Sequence, residues 1–72
     1  MRLQNRQVAM LRLLAKRRVI SPGDPMPAPF DVRSWARVVL DSLVSVKLAV
    51  LELPDRYHIT RLGYGISKQG WL

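Results

Sequence analysis

The sequence predicts a small α+β domain in which two main helices are followed by a β-hairpin. Three observations point to it. Residues 3–18 and 34–48 carry apolar side chains at the three- and four-residue spacing of amphipathic helices. Residues 49–60 switch to the two-residue alternation of strands, interrupted by Pro54-Asp55. The chain has 72 residues and no cysteine, so one domain spanning 1–72 must hold together without disulfides or thiolate-bound zinc. A domain of this size buries only ~60% of the surface its unfolded chain exposes, too little for a deep cleft between two lobes.

The first helix has Leu3, Val8, Met10, Leu11, Leu14 and Ala15 on one side. Arg2, Arg6, Arg12, Lys16 and Arg17 lie on the other, with Leu13 out of place. Basic residues in its last turn suit the negative end of the helix dipole. The β-branched pair Val19-Ile20 fits a short strand. Residues 21–29 hold four of the five prolines, so a stiff loop or an extended arm is expected there.

The second helix is expected over residues 34–48, with Asp31 or Ser34 capping its start. Trp35, Val39, Leu40, Leu43, Val44 and Val46 form its apolar arc. Arg37 and Asp41 are spaced to pair on the opposite face, for ~0.3–0.5 kcal/mol. In the hairpin, Leu51/Leu53 and Tyr57/Ile59 are the inward positions. Pro54 suits the first central position of the turn. Thr60 can cap a final turn beginning at Arg61. Beyond it Gly63, Gly65 and Gly70 suggest an irregular tail over 64–72, with Trp71 and Leu72 folding back to leave water.

Charge is segregated along the chain. Twelve Lys+Arg face five Asp+Glu, a formal net charge of +7. Residues 1–20 contribute +6 with no acid, residues 21–55 contribute −2, and residues 56–72 contribute +3. Two basic ends around a near-neutral middle suggest a polyanionic partner, either nucleic acid or an acidic protein surface. The plainer account is net charge that keeps a small protein soluble.

No apolar run approaches the ~18 residues of a membrane span. The N-terminal apolar stretch is cut by Arg12 and closed by Lys16-Arg17-Arg18. Neither a membrane partner nor a secretory leader is expected, and the expected setting is the cytoplasm, on the nucleoid if the partner is DNA.

Residues 36–63 carry a further pattern: a helix ending in a leucine-containing segment, then strand, charged turn and strand. They finish in Tyr57-His58-Ile59-Thr60-Arg61-Leu62-Gly63. This resembles the recognition helix and wing of winged helix-turn-helix regulators, which end in a Tyr-x-[Leu/Ile]-Thr-x-x-Gly element. Residues 7–14, Gln-Val-Ala-Met-Leu-Arg-Leu-Leu, are similar to the first helix of that fold. The resemblance implies a winged-helix-like domain whose hairpin is the wing. It departs from the usual pattern where the proline-rich loop stands in for a whole helix, leaving at most one turn around residues 30–32.

What the resemblance implies is double-stranded DNA binding and transcriptional regulation. The second helix would enter the major groove with Arg33, Ser34 and Arg37 at base edges. Arg56 would come to the backbone or minor groove from the wing, and Arg61 would reach phosphate. Each has a plainer role: Ser34 as a cap, Arg37 as the partner of Asp41. A homodimer would suit a palindromic site. The competing expectation is a protein-interaction module of phage or mobile-element type, modulating a host complex. Arg6, Arg12, Lys16 and Arg17, with the proline loop, would then engage an acidic protein surface.

Trp35 and Tyr57 read as core residues. Tyr64 and Trp71 could stack on a base or dock on a partner. The single histidine, His58, has no cysteine or second histidine with which to bind a metal and is expected on the exposed strand face. No Ser/His/Asp spacing or glycine-rich phosphate loop suggests catalysis. No enzyme activity, cofactor, metal or small-molecule substrate is expected.

Overall fold

In the computed structural model of the chain, which describes residues 3–68, six elements follow one another. They are α1 (Asn5–Arg17), β1 (Val19–Ile20), α2 (Arg33–Ser45), β2 (Ala49–Glu52), β3 (Arg56–Ile59) and α3 (Arg61–Lys68). The class is α+β, with three helices rather than two. The strands form one antiparallel sheet in the order β1-β3-β2.

The apolar stripe of α1 forms the middle of the core. Val8 is buried, and Met10, Leu11 and Leu14 form one core with Ala36, Val39, Leu40 and Leu43 of α2 and with the inner face of the sheet. Gln4 precedes α1, and its N–H donates to Gln7 Oε1 at 2.9 Å, satisfying one of the free donors at the helix start. The helix stops because Arg18 takes φ 71°, turning the chain into β1.

The proline-rich segment is a packed loop, not an extended arm. Pro22, Met26 and Phe30 are buried. Hydrogen-bonded turns brace it: the Phe30 N–H donates to Pro27 O at 2.9 Å, and the Ser21 N–H to Asp24 Oδ2 at 2.9 Å. It contains turns but no helix. Burying Phe30 and Met26, each worth ~1.5–3 kcal/mol, holds the loop against the core despite its lack of regular hydrogen bonds.

α2 is shorter than expected at its C-terminal end. Its N-cap is Val32, with no side-chain cap, so neither Asp31 nor Ser34 plays the expected role. Ser34 lies one residue inside the helix, where its hydroxyl is past the capping position. Residues 46–48 leave the helix. The Lys47 N–H donates to Val44 O and the Leu48 N–H to Leu43 O, both at 3.0 Å, while Lys47 takes φ 67°. This is a Schellman stop, completed by burial of both Leu43 and Leu48. Glycine normally holds the left-handed position; a lysine there gives no stop signal to a reader of the sequence.

The hairpin pairs Ala49 with Ile59, Val50 with His58, Leu51 with Tyr57 and Glu52 with Arg56. β1 adds Val19 opposite His58 and Ile20 opposite Tyr57. Ile20, Tyr57 and Leu51 therefore share the inner face, and Val19, His58 and Val50 the outer one. Leu53, expected inward, lies in the turn and is 80% exposed, because β2 ends at Glu52.

The expected irregular tail is helical as far as Lys68. Thr60 caps it as expected: its Oγ1 accepts from the Gly63 N–H at 3.0 Å. The glycines do not break this helix, because Gly63 is where α3 meets another backbone. A Cβ there would lie 2.3 Å from the Leu48 carbonyl oxygen. Trp71 and Leu72 lie outside the described residues. No described helix is long and apolar enough to cross a membrane.

The two glycines of α3 should respond in opposite directions. Gly63→Ala should cost ~1–3 kcal/mol, because a backbone carbonyl must move. Gly65→Ala, with nothing within 4 Å of its Cβ, should add ~0.5–1 kcal/mol of helix stability. Urea midpoints at unchanged slope are the measurement. Lys47→Gly, read the same way, should stabilise by up to ~1 kcal/mol by relieving the left-handed conformation.

Candidate nucleic-acid interface

The first turns of α2 project Arg33, Ser34 and Arg37 outward, and with Val32 they border a shallow concavity. The hairpin turn comes beside them: Arg33 Nη2 lies 4.0 Å from Asp55 Oδ2. On the hairpin itself Arg56 Nη1 lies 4.0 Å from Glu52 Oε1. Arg33, Ser34, Arg37 and Arg56 thus belong to the neighbouring edges of α2 and the hairpin. Both ion pairs are long and exposed, with the Arg33 and Arg56 side chains 69% and 65% accessible. Such pairs contribute little, so both guanidinium groups remain open to a stronger anion.

Arg61 is not brought to this face. It opens α3, beyond the far end of β3, and borders a different concavity with Leu62, Gly65 and Ile66.

Asp41 was expected to pair with Arg37. It instead accepts a hydrogen bond from the Tyr57 hydroxyl, and Arg37 lies beside the same hydroxyl. The Tyr57 ring is fully buried under α2. Burial, followed by its hydrogen bond to the Asp41 carboxylate, pushes the phenol up to about 12, with Arg37 opposing. This link joins the sheet to the outward side of α2 and holds an acid that would repel phosphate.

On α1 the structure gives Arg6 and Arg17, both expected to bind a partner, internal work. The Arg6 guanidinium sits 4.5 Å from the Trp35 ring centroid, a cation–π contact. Arg17 Nη1 donates to Pro25 O at 2.7 Å, tying α1 to the proline-rich loop. Gln7 adds a bond from Nε2 to Ser42 Oγ at 3.1 Å. Arg12 and Lys16 lie on the exposed side of the helix. Trp35, expected in the core, is half-buried: it packs on the core and carries Arg6 on its ring.

A cluster that the sequence reading missed surrounds Tyr64. The Arg18 guanidinium lies 4.2 Å and the Lys68 ammonium 4.6 Å from its ring centroid. The Lys68 hydrogen bond holds the phenol below its ordinary range, and the Lys68 and Arg18 charges act in the same direction. The i, i+4 spacing of Tyr64 and Lys68 was the available signal, hidden by the glycines that made this segment read as irregular. His58 sits on the outer face of the sheet, with Nε2 3.1 Å from Glu52 Oε1. Among the described residues no group of three His, Cys, Asp or Glu could hold a metal ion. No family model, curated protein or solved structure matches the chain.

The two tyrosines should titrate separately in the folded protein. Absorbance near 295 nm should show Tyr64 ionising below the ordinary phenol value and Tyr57 near about 12, with Tyr57→Phe removing the late step. Because the folded pKa of Tyr57 lies above its unfolded value of 10.0, its contribution to stability is complete below that pH. It falls away as pH rises through the folded value. Wild type should therefore lose more stability than Tyr57→Phe across that interval.

Proposed function

We propose that this chain is a minimal winged-helix DNA-binding protein acting as a transcriptional regulator. The first turns of α2 enter the major groove, and the β2–β3 hairpin is the wing. The observation that carries the reading is the meeting of α2 and the hairpin turn at Arg33 and Asp55, which puts Arg33, Ser34, Arg37 and Arg56 along neighbouring edges. The order β1-β3-β2, with α2 leading directly into the hairpin, supports it. The buried loop side chains Met26 and Phe30 stand where such a domain would carry another helix.

The chemistry suits the task. An arginine on the leading turn of a groove helix can donate two parallel hydrogen bonds to guanine, and a serine can donate to or accept from either base pair. Arg56, beside the turn, is a phosphate contact that sets register. Specificity then rests on few contacts, and Asp55 and Glu52 reduce the attraction. The competing reading, in which the basic face of α1 and the proline-rich loop engage an acidic protein surface, has less support, because Arg6 and Arg17 are engaged within the molecule and the loop is buried at Pro22, Met26 and Phe30.

Fluorescence anisotropy over a salt series, with random duplex and a genomic fragment pool, tests the proposal. Some fragments should bind at least ~10³-fold tighter than random duplex near 0.15 M salt. Weak binding that ignores sequence and vanishes with salt would show only net charge. Arg37→Ala should cost ~1–3 kcal/mol and relax sequence preference, whereas Arg56→Ala should weaken all sequences alike and lower the salt slope by ~1. Asp55→Asn should tighten binding by a few-fold, since it frees Arg33 and removes a charge that repels phosphate.

A further inference from the structure

The five acids of the chain all lie between residues 24 and 55. α1, its terminal residue Arg18 and α3 contain no acid, and carry Arg6, Arg12, Lys16, Arg17, Arg18, Arg61 and Lys68. The fold brings these two sequence-distant segments together. α1 packs on α3 as well as on α2, whereas α2 and α3 make at most marginal contact with each other. The Arg18–Tyr64 contact marks the junction.

This basic junction is separate from the α2–hairpin face. Arg56 opens β3 and Arg61 follows its far end, with about 10 Å of extended strand from Arg56 to Ile59 between them. The two surfaces therefore lie off opposite ends of β3. Their charge also differs in kind. On the α2–hairpin face Arg33 and Arg56 are each matched by an acid. Neither α1 nor α3 contributes an acid, and Arg18 and Lys68 gather on an aromatic ring. Tyr64 adds a hydroxyl, hydrogen-bonded to Lys68, to the ring that carries both cations, a combination that suits a phosphate oxygen.

We propose that Lys16, Arg18, Arg61, Tyr64 and Lys68 form a second phosphate-backbone contact, so that one molecule holds two duplex segments at once. The proposal rests on the reading of the α2–hairpin face as a DNA surface. It goes beyond that reading by assigning the larger electrostatic share to the opposite side. Binding there is insensitive to sequence and steeply dependent on salt. The α2–hairpin face selects the site, and the α1–α3 side joins it to a second duplex.

A bridging assay separates the two claims. Biotinylated duplex carrying a preferred fragment is fixed to beads, protein is added, and a fluorescent random duplex follows. Wild type should retain the fluorescent duplex. The triple variant Lys16→Gln, Arg61→Gln, Lys68→Gln should still bind the bead duplex with its sequence preference, but lose ~10-fold or more of the fluorescent duplex. The triple variant Arg33→Gln, Arg37→Gln, Arg56→Gln removes the same charge and should instead lose the sequence preference. Circular dichroism confirms that both fold. Equal losses from the two triples would show net charge alone and overturn the proposal. Undiminished bridging by the first triple, as a dimer with two α2–hairpin faces would give, also overturns it. Wild type that binds the bead duplex selectively but retains no second duplex overturns the second contact and leaves the α2–hairpin reading standing. Wild type that binds neither ends both.

Discussion

Two backbone carbonyls, those of Lys47 and Leu48, tie the end of β3 and the start of α3 to the end of α2. The Thr60 hydroxyl donates to Lys47 O at 3.0 Å, and the Thr60 N–H donates to Leu48 O at 3.1 Å. The same hydroxyl accepts from the Gly63 N–H and so starts α3. Gly63 then lets α3 lie against the Leu48 carbonyl with no side chain between them. Each hydrogen bond adds only ~1 kcal/mol net, but together they fix where α2 ends, where β2 begins and how α3 leaves the sheet. The left-handed Lys47 is what aims these carbonyls at Thr60. Its conformational strain, ~1–2 kcal/mol, is offset by the bonds it permits and by burial of Leu48.

The second constraint is size. So small a chain cannot leave the twelve-residue loop between β1 and α2 idle, because each large apolar side chain kept from water is a sizeable fraction of total stability. Phe30, Met26 and Pro22 therefore enter the core from a segment with almost no regular hydrogen bonding. Arg17 is drawn to Pro25 O for the same purpose. A surface arginine that looked available for a partner becomes a brace. Arg6 on Trp35 has the same character.

Periodicity made α1, α2 and the hairpin legible, since apolar spacing follows directly from which face must be buried. Thr60 as a cap and Pro54-Asp55 as a turn were legible because their roles are local. The elements that misled were those set by contacts distant in sequence. The end of α2 depends on Leu48 burial and a left-handed lysine, which no nearby residue announces. Gly63 and Gly65 look alike as helix breakers, yet one is required by a carbonyl fifteen residues earlier and the other faces open space. At the candidate site, Arg33, Ser34 and Arg37 were legible from their place at the start of a helix. That Asp41 would turn to Tyr57 was hidden, because the sheet residue beneath it is sixteen positions away. Tyr64 was read only as a tail aromatic for stacking or docking, and for a simpler reason: its segment was not read as a helix, so its spacing from Lys68 carried no meaning.

Charge and topology pull the functional reading toward different sides of the molecule, and the conflict is informative. Topology puts a helix start and a hairpin turn together, as a groove reader requires. Yet that face has nearly as many carboxylates as guanidinium groups, with Glu52 and Asp55 each beside an arginine. Electrostatic attraction to a duplex grows with every phosphate neutralised, so this face alone would bind weakly and discriminate mainly by hydrogen-bond fit. Helices α1 and α3, which contribute no Asp or Glu, have the opposite balance, with abundant charge and little geometry for reading bases. A protein that used only its reading face would gain solubility, but no duplex contact, from cations concentrated elsewhere. One that uses both can keep selection and affinity on separate surfaces, and can tune either without disturbing the other.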